Sequence, residues 1–148
     1  NFNKFNSHDQ DLDSKNYLSK KELEYEKDDV PSPQEIFNLA KSAFKKFSDK
    51  KLQLNSKIET DIVIDFGLNL LLIPFNDDEN QIELKDKNFV SNNSYILLKL
   101  DARLLKRILM GPKYAHWNNA EIGSHINYFR YPNIYNRNLH TSLCSFHN

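Results

Sequence analysis

Residues 58–75 read Ile-Glu-Thr-Asp-Ile-Val-Ile-Asp-Phe-Gly-Leu-Asn-Leu-Leu-Leu-Ile-Pro-Phe. From Ile58 to Phe66, apolar and polar side chains alternate with a period of two, which is typical of a strand with one buried face. Gly67 permits a tight reversal into Leu68–Phe75, a segment that is apolar on both faces. The pattern therefore predicts two antiparallel strands, of which the second lies inside the sheet rather than at its edge.

A helix is predicted before this hairpin and three more strands after it. Ser32, Pro33 and Glu35 have the spacing of a capping box with proline at the first helical position. An apolar stripe at helical spacing follows. It consists of Ile36, Ala40, Ala43, Phe44 and Phe47. The three strands are predicted at Gln81–Lys85, Ser94–Leu100 and Ser124–Tyr131, with a turn at 76–80.

Two further helices are predicted in the last third of the chain. Asp101 caps a short helix that Gly111 and Pro112 end. Its inward-facing residues are Leu104, Leu105, Ile108 and Leu109, and its outward-facing residues are Arg103, Lys106 and Arg107. Pro132 opens a last helix, in which Tyr135, Leu139, Leu143 and Phe146 recur at about every fourth position. The predicted fold is α+β, with one mostly antiparallel sheet of about five strands in meander order and helices packed on one face.

The chain is expected to form one packed domain with a polar N-terminal segment. Its 148 residues suit a single core. We assign residues 1–30 to a polar arm or linker, with a short helix over 20–28 as the alternative, and residues 31–148 to an α+β accessory domain. The chain begins at Asn1 and its single methionine is Met110. We therefore expect it to be part of a longer protein.

Charge and cysteine content narrow the classes of partner and compartment. The 20 basic residues balance the 20 acidic ones, which argues against nucleic acid or an anionic membrane surface as a partner. The longest apolar run, Leu70 to Phe75, is too short to span a bilayer. Cys144 is the single cysteine. It excludes an internal disulfide and fits a reducing, cytoplasmic compartment.

The sequence from Tyr95 onward resembles a known family. The matching segments are Tyr-Ile-Leu-Leu-Lys-Leu-Asp-Ala-Arg-Leu-Leu-Lys-Arg-Ile-Leu-Met-Gly at 95–111, Ala-His-Trp-Asn-Asn-Ala-Glu-Ile-Gly-Ser-His at 115–125, and Phe-Arg-x-Pro-Asn-x-Tyr at 129–135. They resemble the C-terminal region of metallo-β-lactamase-fold hydrolases of the UlaG-like group, with relatives among the CMP-N-acetylneuraminate hydroxylase-like proteins. The pattern Asp-x-x-Leu-Leu-x-x-Ile-Leu-x-Gly is also similar to accessory domains of the sterol-carrier-protein-2 type.

The resemblance implies a role beside a catalytic domain. The His-x-His-x-Asp-His metal motif of that family does not occur in this chain. The implied function is therefore a C-terminal accessory or interaction domain, without cofactor or metal of its own, in a parent enzyme that holds zinc or another divalent metal. The implied partner is an upstream catalytic domain or a second subunit, and a homodimer is also compatible. Whether this segment is itself catalytic stays open.

His116, Glu121 and His125 are the candidate catalytic residues. Imidazole and carboxylate groups bind zinc and transfer protons, so these three could serve a small independent enzyme. Their spacing differs from the helical His-Glu-x-x-His pattern, and structural hydrogen bonding is the alternative role.

Nearby residues are candidates for ligand binding and for nucleophilic chemistry. Candidate ligand-binding or anion-binding residues are Trp117, Asn118, Asn119, Arg130 and Arg137. The two arginines flank the predicted start of the last helix, where a phosphate or carboxylate could bind. We expect Trp117 to be buried at a strand–loop–strand junction. His140 lies one helical turn before Cys144, which is the spacing for a base beside a thiol, with a buried apolar cysteine as the alternative.

A carrier function is the remaining alternative. The sterol-carrier resemblance implies an apolar ligand pocket between the sheet and the helices. The predicted walls are Leu68–Ile73, Ile96–Leu100, Leu104–Leu109, Phe44 and Phe47. The competing interpretation is that these residues fill an ordinary core.

Overall fold

The structure is a computed structural model that describes residues 23–55, 59–74 and 81–148. Within these ranges there are four α-helices, five strands and one 3₁₀ helix at Leu23–Lys27. The α-helices are α1 (Pro33–Gln53), α2 (Ala102–Met110), α3 (Trp117–Ile122) and α4 (Arg137–Leu143); the strands are β1 (Asp61–Asp65), β2 (Leu70–Ile73), β3 (Glu83–Lys85), β4 (Tyr95–Lys99) and β5 (Asn127–Tyr131). The predicted turn at 76–80 and residues 1–22 of the predicted arm lie outside the described residues.

The five strands form one sheet in the order β3-β2-β1-β4-β5. β1, β2 and β3 are neighbours in sequence and pair antiparallel. β4 does not continue from β3; it crosses to the other side of β1 and pairs parallel to it, with Ile62 opposite Ile96. β5 then pairs antiparallel to β4. The predicted α+β class and mostly antiparallel sheet are confirmed, whereas the predicted meander order is wrong after β3.

The helices pack on one face of this sheet. That face presents the even-numbered residues of β1 and β4 and the odd-numbered residues of β2, as strand alternation requires. Its buried side chains are Ile62, Ile64, Leu71, Ile73, Ile96 and Leu98. They join the apolar residues of the four helices in a single contacting cluster. This cluster is the main core, and its burial supplies most of the driving force for folding.

The opposite face of the sheet is called here the helix-free face. A small apolar cluster covers it around β1 and β2. Val63, Leu70 and Leu72 form a small buried cluster, against which Phe89 and Leu97 pack. Phe89 lies in the loop between β3 and β4. Because β2 contributes to both the main core and this cluster, all four of its residues are buried. The prediction that β2 is an internal strand is therefore confirmed.

Residues at the predicted caps hold α1 and α2 in place. The Ser32 hydroxyl accepts a hydrogen bond from the Glu35 backbone N–H at 3.1 Å, and the Asp101 carboxylate accepts one from the Arg103 N–H at 2.8 Å. Each bond satisfies a donor that has no partner inside its helix. Gly111 ends α2 with φ of +134°, a conformation that favours glycine. Both predicted helix starts are confirmed.

Each of the three basic side chains of α2 pairs with a carboxylate. Arg103 pairs with Asp101 at 3.0 Å and Lys106 with Glu35 at 2.7 Å. Arg107 makes a two-point contact with Asp28, at 2.6 and 2.8 Å. The hydrogen bonds and charge of the Arg107 guanidinium lower the pKa of the Asp28 carboxyl, so this carboxylate stays ionised to a lower pH than an ordinary aspartate does. The pair fixes residues before α1 onto α2.

Residues 23–28 are part of the packed structure. Tyr25, in the 3₁₀ helix, is buried in the main core. Arg103 lies over its ring, 5.5 Å from the ring centre, and donates to the Glu26 carbonyl at 3.0 Å. The packing against the domain therefore begins within the segment that the sequence assigned to an arm or linker.

Two predictions for the C-terminal third are wrong. The strand–loop–strand junction predicted around Trp117 is instead a helix, α3, which His116 caps by accepting the Asn118 N–H at 3.1 Å. The last helix begins at Arg137 and not at Pro132, because Asn136 is the residue that caps it. Of the four residues predicted to recur in this helix, Leu139 and Leu143 lie in it and are buried, Phe146 is buried just after it, and Tyr135 lies before it and is exposed.

Candidate functional site

The helices α3 and α4 pack together around Trp117. The indole ring is only 2 % exposed, stacks on Phe146 with ring centres 6.4 Å apart and donates its N–H to the Phe146 carbonyl at 2.8 Å. The expected burial of Trp117 is confirmed. Because the ring is buried against protein, it is not available as a contact surface for a ligand.

Each of the three candidate catalytic residues contacts a different part of the molecule. The His116 Nδ1 atom accepts the capping hydrogen bond of α3. The Glu121 carboxylate lies 3.4 Å from His140 Nε2. The His125 ring packs edge-on against Tyr25, with ring centres 6.2 Å apart. Among the described residues, there is no group of three or more His, Cys, Asp or Glu side chains placed to hold a metal ion.

Gly123 lets the chain pass close to His125. A Cβ atom at this position would lie 2.8 Å from His125 Cδ2, which is closer than a real contact allows. The backbone of Gly123 has φ of −76°, so the requirement for glycine here is spatial rather than conformational.

A polar cluster not predicted from the sequence links α3 to α4. His140 Nε2 lies 3.4 Å from a Glu121 carboxylate oxygen and 3.9 Å from Cys144 Sγ. Cys144 Sγ also donates to Asn118 Oδ1 at 3.5 Å. The turn of helix between His140 and Cys144 was visible in the sequence. The contribution of Asn118 and Glu121 depends on the packing of one helix against the other.

Burial keeps the Cys144 thiol and the Tyr128 hydroxyl protonated. It raises the pKa of the Cys144 thiol to about 11, and the negative charge of Glu121 adds to the effect. Burial, reinforced by Glu121, also raises the pKa of the Tyr128 hydroxyl well above its ordinary value. The Cys144 thiol is therefore neutral at pH 7 and contributes to the core mainly as a small apolar group.

The geometry of the cluster does not match an activated nucleophile. In such sites one imidazole nitrogen takes the proton of the nucleophile while the other nitrogen is oriented by an acid. Here the same atom, His140 Nε2, faces both the Glu121 carboxylate and the Cys144 sulfur. A reactive thiol would also need a lowered pKa, and that of Cys144 is raised. The arrangement favours a structural role.

Alkylation of Cys144 provides a direct test of this role. Because the thiolate is the reactive form, a pKa of about 11 rather than the ordinary 9.0 should make the native protein react with iodoacetamide at pH 7 about 100-fold more slowly than the urea-unfolded chain. The rate should rise with pH until about pH 11. Glu121→Gln, which removes a nearby negative charge, should raise the native rate. Equal native and unfolded rates at pH 7 would contradict a neutral, partly buried thiol.

The two candidate anion-binding arginines have different surroundings. The Arg130 guanidinium is partly buried between two tyrosines, 5.5 Å from the ring centres of both Tyr128 and Tyr135. It lines a surface groove of about 270 Å³ together with Tyr131 and other residues that flank β5. Arg137 is exposed at the first position of α4. Of the two, Arg130 is the one that is held in a defined position.

The residues predicted to line an apolar ligand pocket lie largely in contacting clusters. Phe47, Leu104, Leu105, Ile108 and Leu109 are fully buried within the main core. Leu70 and Leu72 are buried in the small cluster on the helix-free face. Their mutual packing is what an ordinary filled core requires.

Exposed aromatic residues distinguish the β4–β5 end of the helix-free face. Tyr95 stacks on Tyr131, with ring centres 5.9 Å apart, and Lys99 Nζ lies 5.7 Å from the centre of the Phe129 ring. Phe129 and Tyr131 are 54 % and 67 % exposed. In the sequence, Phe129 and Tyr131 alternate with Tyr128 and Arg130, which indicates two faces of a strand. This alternation does not indicate which of the two faces the helices cover.

Of the helices in the described part of the chain, none has the length and apolar character needed to cross a membrane.

No protein-family model matches the chain, and comparisons with curated proteins and with solved structures also gave no significant match.

Proposed function

We propose that this chain is an accessory, interaction-type domain, which packs on a catalytic domain of the metallo-β-lactamase fold within a longer protein or on a second subunit. The observation that carries this proposal is the aromatic strip at the β4–β5 end of the helix-free face, in which the largely exposed Phe129 and Tyr131 lie beside the partly buried Tyr95. A contiguous exposed apolar patch on a small domain marks a surface that another protein covers.

The surroundings of this strip fit an interface. A hollow of about 230 Å³ lies beside it, with Leu97 and Phe89 among its apolar residues and Lys87, Lys99 and Asp65 among its charged residues. Interfaces between proteins commonly combine an apolar, aromatic centre with a charged rim. The charges at this rim are partly paired, since Lys87 contacts both oxygens of Asp65 at 2.7 Å.

In this proposal the catalytic domain holds the divalent metal and the reacting groups, and the present domain supplies a docking surface. The resemblance of segments 95–111 and 115–125 to the C-terminal region of those hydrolases supports the choice of partner. The helix-free face is the side on which a further layer can pack, because the other face is already covered by helices. The proposal includes a cytoplasmic location, with which a single free thiol is compatible.

The proposal makes a prediction about the coding sequence and about protection of one tyrosine. The sequence that precedes the codon for Asn1 should encode a His-x-His-x-Asp-His motif. In the longer protein, nitration of Tyr131 by tetranitromethane should be several-fold slower than in the 148-residue chain, because docking covers the helix-free face. Tyr114, which is 45 % exposed and follows α2, is the internal control and should react equally in both.

Two results would overturn the proposal. One is an upstream coding sequence that lacks the metal motif. The other is equal nitration of Tyr131 in the longer protein and in the isolated chain. Both proteins should be compared at concentrations at which the isolated chain is monomeric, so that self-association does not affect the reaction of Tyr131.

A further inference from the structure

β5 leaves one edge of the sheet open. Within the described residues, β5 pairs only with β4, so the N–H and C=O groups on its outer side have no strand beside them. Exposed edges of this kind can pair with another strand unless the sequence blocks them. The opposite edge, β3, is only three residues long and carries the charged pair Glu83 and Lys85.

Within β5, the one feature of the kind that blocks an edge is the charge of Arg130, which lies opposite Ile96 on the face that the helices cover. The five residues of the strand are Asn-Tyr-Phe-Arg-Tyr, with one charge and no proline. Phe129 and Tyr131 are largely exposed, and so are Ile134 and Tyr135 just after the strand. Short length, lysine, proline or inward charge would discourage pairing. Apart from the one charge, β5 is a suitable edge for adding a strand.

We propose that two copies of this chain associate through antiparallel pairing of β5 with β5, centred on Phe129. The two five-stranded sheets then form one continuous sheet, with the helices of both copies on the same side. The inference names a surface and an occupant that the proposed function leaves open, and it does not depend on that function. Because the contact consists of one five-residue strand paired with its copy, we expect a weak dimer whose population depends on protein concentration.

The register follows from matching faces and charges. To keep the helices of both copies on one side, residues that face each other must have the same parity, so the two-fold axis passes through a residue. Centring on Phe129 places Phe129 opposite its own copy, Asn127 opposite Tyr131, and Tyr128 opposite Arg130. Centring on Arg130 would instead place the two guanidiniums opposite each other, which is unfavourable.

The pairing of Tyr128 with Arg130 is chemically complementary. Within one copy, Arg130 already lies 5.5 Å from the Tyr128 ring centre, and no ion pair between Arg130 and a carboxylate occurs among the described residues. Across the proposed interface the guanidinium of each copy gains a third tyrosine ring, in addition to Tyr128 and Tyr135 of its own copy. A cation over an aromatic face is stabilised by the ring's electron density. Both contacts occur twice because of the two-fold symmetry.

Charge replacement at Phe129 tests the interface in the 148-residue chain by sedimentation velocity over a range of concentrations. Wild type should show a monomer–dimer equilibrium. Phe129→Lys and Phe129→Asp each place like charges opposite each other and should raise the dimer dissociation constant about tenfold or more. An equimolar mixture of the two variants should restore dimerisation, because lysine then faces aspartate.

The control is Val90→Lys, at a residue that is 76 % exposed and lies in the loop between β3 and β4. It should dimerise as wild type does. Circular dichroism verifies that each variant is folded. If a Phe129 variant does not fold, the double variant Asn127→Lys/Tyr131→Lys replaces it and should also be monomeric. A monomeric wild type, a dimer that Phe129→Lys leaves intact, or a mixture that stays monomeric would overturn the proposal. Because the upstream domain is not used, these results do not test docking on a catalytic domain, which the nitration of Tyr131 in the longer protein tests separately.

Discussion

Replacing Trp117 with alanine should lower the free energy of unfolding by about 3–5 kcal/mol, the usual cost of removing a large buried aromatic side chain. The ring is 2 % exposed and is fully surrounded by the main core. Its removal leaves a cavity between α3 and Phe146 and takes away the donor for the Phe146 carbonyl. Urea unfolding followed by far-ultraviolet circular dichroism measures the change without depending on tryptophan fluorescence.

Two matched variants separate the parts of this effect. Trp117→Phe keeps most of the apolar contact with Phe146 but removes the indole N–H, so it should cost about 1–2 kcal/mol beyond any volume change, as for an unmet buried acceptor. Tyr135→Ala removes an aromatic ring that is 60 % exposed, and should cost less than about 0.5 kcal/mol. A Trp117→Ala protein as stable as the Tyr135→Ala protein would show that α3 does not depend on its buried indole.

Replacing Asn148 with alanine should cost about 2–3 kcal/mol of stability, because two partly buried hydrogen bonds and one exposed hydrogen bond are lost together. The side-chain amide of Asn148 donates to the Leu109 carbonyl at 2.8 Å and to the Leu39 carbonyl at 3.2 Å. Its oxygen accepts from the Ser42 hydroxyl. A single residue therefore joins α1 and α2. The same urea titration measures the loss.

The partner Ser42 offers the matched control for this prediction. Ser42→Ala removes one of the three side-chain hydrogen bonds of Asn148, and should cost no more than about 1 kcal/mol. In the double variant, the cost of Ser42→Ala should largely disappear, because the partner is already missing. Strict additivity of the two substitutions would indicate that the Ser42–Asn148 contact does not form in solution.

Local patterns predicted the elements whose ends and faces they specify. The alternation in β1 and the continuous apolar run in β2 predicted a strand and its internal position, and Ser32 and Asp101 marked the starts of α1 and α2. These features depend on side chains within a few residues of one another. By contrast, α3 was missed because it is six residues long, includes two asparagines and is capped by a histidine. Neither its composition nor its cap is a strong helical signal.

The candidate site could be predicted only in part. Burial of Trp117 and the turn between His140 and Cys144 were accessible from residue type and spacing. The contact of Glu121 with His140 was not, because β5 separates α3 from α4 in the chain and only the tertiary structure brings the two side chains together. The aromatic strip on the helix-free face could not be predicted either, because its exposure depends on which face of the sheet the helices cover.

The sequence by itself determined the α+β class, the two principal helices and the internal position of β2, because periodicity and caps act within a few residues. The tertiary structure alone decided the parallel pairing of β1 with β4, the open edge at β5, the raised pKa of Cys144 and the connection of α1 to α2 through Asn148. Each of these features depends on how residues that are far apart in the chain are placed in space. Contacts between distant residues form when the chain buries all its apolar surfaces together and closes the long loops between them. No local sequence pattern contains that information.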